Sequence, residues 1–205
     1  MIAIDLAKTD AATEVKNWVT QNNFPVSILI NNAGYGLWGN FHELALEDQN
    51  NMLQLNVFTL VNLTYLMIPV LILQPKSYIL NTGSMAGLQS IPTLNLYAAS
   101  KALVNTFTRG LSHELKNTNI SVSLLSPGGV KTDFTESAGM HHMQKMAEKF
   151  SMDPEDVAEI AIKGMFDKKK EIMPGFINRF SAAMVKRRPK SVIENMAGST
   201  YKKKA

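Results

Sequence analysis

Short apolar runs with strand character alternate with longer segments of helical spacing along the whole chain, and this alternation narrows the possible folds more than any other feature. Val26-Ser27-Ile28-Leu29-Ile30 is a short apolar run that breaks into Asn31-Asn32-Ala33-Gly34, the pattern of a buried strand and its turn. Val15, Trp18 and Val19 precede it at helical spacing, and Met1 to Leu6 forms a strand-like apolar fragment before them. Glu47 to about Leu73 reads as a long helix, Tyr78-Ile79-Leu80 as a strand, Tyr97 to Lys116 as a helix and Ile120 to Leu125 as a strand. Asp153-Pro154 opens a further helix, with a carboxylate at the N-cap and proline at the first helical position. Glu171-Ile172-Met173 is the last short strand, closed by Pro174-Gly175. Strands joined through helices require right-handed crossovers, which build a parallel sheet covered on both faces. The expected fold class is therefore α/β, a doubly wound parallel sheet. With 205 residues, 45% of them hydrophobic, and no repeat, linker or break in composition, residues 1–205 are expected to form one domain.

Between Gln49 and Pro75 there is no charged residue, a length sufficient to cross a bilayer. Asn50, Asn51, Gln54, Asn56, Asn62 and Gln74 interrupt the stretch, and unpaired amides in lipid are costly. A helix buried in protein is the expectation, with no membrane span. The start of the chain has no secretory pattern and there is no Cys, so a cytoplasmic location is expected and disulfides and thiolate metal sites are excluded. Charge is uneven: residues 1–150 hold 9 Lys/Arg against 10 Asp/Glu, residues 151–205 hold 12 against 7. The excess lies in Lys168-Lys169-Lys170, Lys186-Arg187-Arg188 and Lys202-Lys203-Lys204, so residues 176–205 read as a basic helix and tail. A solvated face is the first reading and peripheral contact with an acidic surface the second; no nucleic-acid motif accompanies the clusters.

The chemistry centres on Tyr97-Ala98-Ala99-Ser100-Lys101. At i and i+4 on a helix, Tyr97 and Lys101 share one face. A free phenol has a pKa near 10, and a neighbouring ammonium favours the phenolate, which brings the group toward useful acid/base work. Such spacing alone arises by chance in roughly four chains of ten of this composition, so its setting matters. Ser84 follows the strand ending Leu80-Asn81-Thr82, and the C-terminal ends of parallel strands are where ligands bind. Ser126-Pro127-Gly128-Gly129-Val130-Lys131-Thr132 follows the next strand and offers backbone and hydroxyl groups at the same edge.

Taken together, Asn31-Asn32-Ala33-Gly34, Asn56 in the long helix, Ser84, Tyr97-x-x-x-Lys101 and Pro127-Gly128 with Thr132 closely resemble the short-chain dehydrogenase/reductase family, in its order and at its spacings, over about residues 1–175. The resemblance implies a Rossmann-like fold and an NAD- or NADP-dependent oxidoreductase that interconverts a carbonyl and a secondary alcohol. It implies Tyr97 as the general acid/base, Lys101 as the group that lowers the tyrosine pKa and binds the nicotinamide ribose, and Ser84 as the residue that orients the carbonyl. Asn56 is implied to hold a water that links Lys101 to a proton relay. Val130 and Thr132, with Pro127 and Gly128, are implied nicotinamide contacts. Asp5 and Leu6 match positions that meet adenine, and Asn32, Ala33 and Gly34 those that flank its ribose. Plainer readings stay open: Asn32 to Gly34 as a tight turn, Asp5 as a turn cap, Asn56 as a buried and satisfied amide. Relatives also dimerise through their two long helices, so a homodimer or homotetramer and a fairly apolar small-molecule substrate are implied.

His141 and His142 are adjacent and would not face one site on a helix, so no metal site is expected. Met140, Met143 and Met146 fall at helical spacing in the segment that forms the substrate lid in the family; core packing is their default role. Gly83 stands where many relatives have a second serine. The larger departure is upstream: relatives place a first βαβα unit with a Gly-rich turn before the position of Asp5, and this chain has no such fingerprint. Two explanations compete. The expectation taken is that the chain begins at an internal Met of a longer protein; the other is a naturally shortened protein, inactive and acting only by helix-mediated association. As written, the 205-residue chain is expected to be truncated, to turn over negligibly and to bind dinucleotide poorly.

Overall fold

A computed structural model describes residues 1–140, 151–187 and 191–195. The elements run α1 (Ala11–Gln21), β1 (Ile28–Asn31), then a helical rod from Leu46 to Leu71 composed of α2 (Leu46–Leu53), a π-helical turn (Gln54–Thr59) and α3 (Leu60–Leu71). There follow β2 (Ser77–Thr82), a 3₁₀ turn (Met85–Leu88), α4 (Asn95–Glu114), β3 (Ile120–Leu125), α5 (Phe134–Ser137), α6 (Pro154–Phe166), β4 (Glu171–Ile172) and α7 (Phe176–Arg187). The four strands are parallel in the order β1-β2-β3-β4.

Alternation of side chains along each strand divides the core between the two faces of the sheet. Ile79 stands opposite Val122, and both pack with α1, α3 and α4 through Ala12, Val19, Leu63, Met67, Leu71 and Leu111. Tyr78, Leu80 and Leu125 point the other way, onto Val157, Ala161 and Met165 of α6. Helices on both faces of a parallel sheet are the doubly wound arrangement expected, and the β3 bounds agree with those read from the sequence.

The structure departs from expectation in several places. Met1 to Leu6 forms no strand; it runs as a largely exposed loop, because β1 hydrogen-bonds only to β2 and no neighbour draws this segment into the sheet. The run from Val26 to Ile30 is not a buried strand: β1 begins at Ile28 and alternates, with Ile28 39% and Ile30 44% exposed while Leu29 and Asn31 are buried. An edge strand has apolar cover on one side only. Asp153 does not cap α6 with its carboxylate, which pairs instead with Lys131 at 3.0 Å. The charge-free rod is long and apolar enough to cross a membrane by length and composition. Met52, Leu60, Leu63, Met67 and Leu71 bury one side of it, whereas Phe58 and Tyr65 are exposed, so burial within the chain accounts for only part of its apolar surface. Nor is the basic C-terminal helix a purely solvated charged face, since α7 exposes Phe176, Ile177 and Phe180 around Arg179.

Burial ranks the positions energetically. Ile79 is fully buried between α3, α4 and the neighbouring strand, so Ile79→Ala is expected to cost about 2–5 kcal/mol of unfolding free energy, from lost transfer energy plus the cavity left behind. Ile30→Ala, on the open side of β1, is expected to cost less than about 1 kcal/mol. Urea titration of both variants measures the contrast; similar losses at the two sites would mean that β1 is covered on both faces.

Candidate active site

The site is laid out by α4. Tyr97, Lys101, Asn105 and Thr108 recur at three- and four-residue spacing, all buried on the side of the helix that meets the C-terminal ends of the strands. Opposite them the chain leaves β2 through Gly83 and turns at Ser84. The Ser84 hydroxyl accepts a hydrogen bond from the Ala86 N–H at 3.0 Å and so caps the 3₁₀ turn. The Gly83 N–H donates to the Leu125 carbonyl at 2.8 Å and the Met85 N–H to the Pro127 carbonyl at 3.0 Å. The serine turn and the Ser126–Gly128 turn are thereby laced together.

Lys101 reaches across this edge. Its Nζ donates to the Thr82 carbonyl at 2.9 Å and stands 6.0 Å from the centre of the Tyr97 ring. Only 5% of the residue is exposed, and burial lowers its pKa to about 8, because the low-dielectric interior penalises the charged form. An ammonium has three donors, and one of them goes to Thr82. The Tyr97 ring lies against Phe134 of α5, centroids 5.3 Å apart, in an apolar cluster with Met52, Ile91, Leu94 and Met140. Met140 thus packs in the core, the default reading for the methionine stripe; Met143, Met146, His141 and His142 lie outside the described residues.

Asn56 sits in the π-helical turn, fully enclosed. Its Oδ1 accepts from the Tyr35 N–H at 3.1 Å, while its Nδ2 donates to the Tyr35 carbonyl at 2.8 Å and to Ser100 Oγ at 3.3 Å. The plainer reading of Asn56, a satisfied buried amide, describes its side chain. Short π segments often mark functional positions in helices. Gly34 passes directly over this point: a Cβ there would lie 2.8 Å from Asn56 Oδ1 and 3.3 Å from Lys101 Nζ, so close approach demands glycine.

The other sequence candidates occupy the rim. Asn32, Ala33 and Gly34 are exposed at the end of β1, and Asn32 Oδ1 accepts from the Thr82 hydroxyl at 3.1 Å. Val130 is half-buried and bridges to Met152, and the exposed Thr132 hydroxyl accepts from the Phe134 N–H at 3.3 Å, at the start of α5. Gly128 lies against Asn178 of α7, whose Oδ1 would be 2.6 Å from a Cβ at that position. The Asp5 carboxylate accepts from the Ala7 N–H at 3.0 Å, a turn cap. Leu6 is tied to the π turn by the Thr59 hydroxyl, which donates to its carbonyl at 2.8 Å. Three contributors escaped the sequence reading: Thr82, whose carbonyl anchors Lys101; Asn178, packed on Gly128; and Asn105, which holds Ser84. Only Asn105 carried a signal, a polar residue four positions after Lys101 on the same helix face. Among the described residues, no three His, Cys, Asp or Glu side chains cluster as metal ligands.

Known proteins share both pattern and fold. The family model described as short chain dehydrogenase matches residues 1–139. The probable short-chain type dehydrogenase/reductase VdlC of Helicobacter pylori is 33% identical over 137 residues, covering 67% of this chain and 51% of the relative. The uncharacterized oxidoreductase YbbO of Escherichia coli is 30% identical over 137 residues, 64% of this chain and 51% of the relative. The chain thus spans about half the length of these curated relatives. Among solved structures, a short chain dehydrogenase/reductase from Burkholderia phymatum in complex with NAD superposes with a TM-score of 0.81 at 23% identity, over 94% of this chain and 75% of that one. A short-chain dehydrogenase from Sphingobium yanoikuyae in complex with NADPH gives 0.75 at 24% identity, over 89% and 70%. At those identities the superpositions speak for the fold.

The buried lysine has a measurable cost. Between an ordinary value of 10.5 and about 8 lies about 3 kcal/mol of stability lost to holding the ammonium in the interior. Removing the amine would leave the Thr82 carbonyl unpaired, a cost of about 1–3 kcal/mol that offsets much of the gain at the upper end and little at the lower. From pH 8 to 10.5 the unfolded chain holds more protons than the folded one, so the parent gains stability as pH rises. Lys101→Met is therefore expected to melt higher than the parent at pH 7, with the difference shrinking from pH 8 to 10.5. Thermal melts across that range test it; a constant difference would show that Lys101 keeps an ordinary pKa.

Proposed function

The chain belongs to the short-chain dehydrogenase/reductase family, and from that premise we propose that its site serves an NAD- or NADP-dependent oxidoreductase that interconverts a carbonyl and a secondary alcohol, with Tyr97 as the general acid/base. One observation carries the reading. The buried Lys101 ammonium sits four residues after Tyr97, at the ligand-binding edge of a parallel sheet, and the described residues engage one of its three donors. A ribose diol suits the remaining donors, so the residues present fit the nicotinamide-ribose end of a dinucleotide. Two solved neighbours are described as complexes with NAD and with NADPH, which supports the cofactor class. When bound, such a cofactor supplies or accepts the hydride.

This chain's own residues supply the rest. Tyr97 moves a proton at the substrate oxygen. Lys101, while protonated, favours the phenolate of Tyr97 and holds the ribose. The Ser84 hydroxyl orients and polarises the same oxygen. Asn56 supports the relay behind Lys101. Asn32, Ala33 and Gly34, together with Pro127, Gly128, Val130 and Thr132, would hold the cofactor along the rim, with Asp5 and Leu6 serving its adenine end. The apolar wall of Phe134, Met140 and Leu94 suits a fairly apolar substrate. A cytoplasmic location and one domain over residues 1–205 belong to the same proposal.

A second reading is an inactive, dinucleotide-free chain that acts by association. It is favoured by the uncovered face of β1, where Ile28 and Ile30, in register with Tyr78 and Leu80, are exposed. A fluorescence titration of the 205-residue chain with NADH and NADPH is expected to show no saturable binding below about millimolar, and saturable micromolar binding would exclude the second reading. For the enzyme, in a protein that carries the first βαβα unit of its relatives ahead of this chain, Tyr97→Phe is expected to lower turnover at least about 100-fold with the fold intact, followed as cofactor absorbance against a panel of ketones. Near-normal turnover would remove Tyr97 from the chemistry.

On either reading the proposed partner is a second copy of the chain. Phe58 on the rod and Leu103 on α4 are about half exposed, and Tyr65 on the rod is three-quarters exposed. Light scattering without detergent is expected to report a dimer or tetramer, and Phe58→Glu with Tyr65→Glu to give a monomer. A parent protein that is monomeric, or that is extracted only by detergent, would refute this interface.

A further inference from the structure

Ser84 is held from behind by a single side chain. Asn105 is 1% exposed; its Oδ1 accepts from the Ser84 N–H at 3.3 Å and its Nδ2 donates to the Ser84 carbonyl at 2.9 Å. One amide thus grips both backbone polar groups that flank the serine Cα, and the carbonyl accepts a second bond from the Gly87 N–H at 3.1 Å. Asn105 lies four residues after Lys101 and eight after Tyr97, so all three project from the same side of α4.

Two glycines give this amide its space. A Cβ at Gly83 would lie 2.0 Å from Asn105 Oδ1, and one at Gly87 would lie 2.6 Å from Asn105 Nδ2 and 2.6 Å from backbone atoms of Lys101 and Ala102. Gly83, which stands where many relatives have a second serine, is therefore matched to Asn105: a side chain at 83 and the amide at 105 compete for one volume. Few side chains could replace the amide. Aspartate has no donor for the Ser84 carbonyl, and an apolar residue would leave the Ser84 N–H buried without this partner and the Ser84 carbonyl with the Gly87 N–H alone, at 3.1 Å.

We infer that Asn105 is a positioning residue, which locks Ser84 to the helix carrying Tyr97 and Lys101 so that the serine hydroxyl and the phenol meet one substrate oxygen in a fixed geometry. The inference rests on the substrate-orienting role proposed for Ser84. Misplacement of a reacting group by about 1 Å can lower a rate by about 100-fold, so a backbone clamp at the serine has kinetic weight.

The test is a double-mutant cycle of Asn105→Ala and Ser84→Ala, run in the protein that carries the first βαβα unit of its relatives ahead of this chain. Asn105→Ala is expected to lower kcat by roughly 10- to 100-fold, leaving the KM for NADH or NADPH within about twofold. In the Ser84→Ala background the same change is expected to have no further effect on kcat. Equal losses in both backgrounds would overturn the inference, because a role confined to folding does not depend on the serine hydroxyl. Asn105→Asp, which keeps the volume and the acceptor, carries the same comparison if the alanine variant fails to fold. A second readout needs no turnover: amide exchange followed by NMR on the whole chain. In Asn105→Ala the Ser84 N–H is expected to exchange at least about tenfold faster, while the Ile79 and Leu80 amides of β2 stay protected. Unchanged protection at Ser84 would overturn the clamp itself. Normal turnover in Tyr97→Phe would instead sink the oxidoreductase reading and leave the exchange result standing.

Discussion

A parallel sheet covered on both faces must find partners for any polar side chain it buries, and here those partners decide where the helices sit. Asn31 and Asn81 are register partners at the ends of β1 and β2. The Asn31 amide donates to Asn81 Oδ1 at 2.8 Å and to Thr64 Oγ1 of α3 at 3.0 Å, and the Asn81 amide donates to Thr108 Oγ1 of α4 at 3.0 Å. An unpaired amide in this interior would cost about 1–3 kcal/mol, so the four side chains admit few alternative arrangements. The ladder fixes both the height and the rotation of α4 against the sheet. Tyr97 and Lys101 lie two to three turns earlier on that helix, and they reach the strand ends because Thr108 is pinned behind them.

The same region is built at the expense of stability. Asn56, Lys101 and Asn105 are almost completely enclosed, where apolar residues of similar volume would often serve the fold as well. Lys101 is the clearest case: its charge is buried against one carbonyl, with no carboxylate partner among the described residues. Burial lowers its pKa to about 8, so the lysine remains mostly protonated at neutral pH while poised to respond to a nearby group. Such arrangements are characteristic of functional sites, where a perturbed group, a cleft-side position and a specific neighbour coincide.

Much of this was legible from residues alone. Alternation of apolar runs identified the strands because sheet strands buried on both faces need continuous hydrophobic stretches, and β3 agrees residue for residue. The Tyr97–Lys101 pair could be read because helical spacing is a local property of the chain. The errors arose where a strand's surroundings mattered. Val26 to Ile30 has the composition of a buried strand, yet Ile28 and Ile30 are exposed, since composition does not say which strand lies at an edge. Asp153 has the right type and place for a cap, yet Lys131, twenty-two residues earlier, takes its carboxylate.

By itself, then, the sequence determined the alternating α/β order, the family, and the set of residues able to do acid/base chemistry, because each depends on spacing of a few residues along one element. Tertiary structure decided which of those residues share a site. It brought Gly34 over Asn56 and Lys101, engaged Asp5 as a turn cap, and joined Ser84 to Asn105 across a separation of 21 residues. Those juxtapositions follow from how α4 docks on the sheet, and docking is fixed by hydrogen bonds and close packing between segments far apart in the chain, which no local pattern encodes.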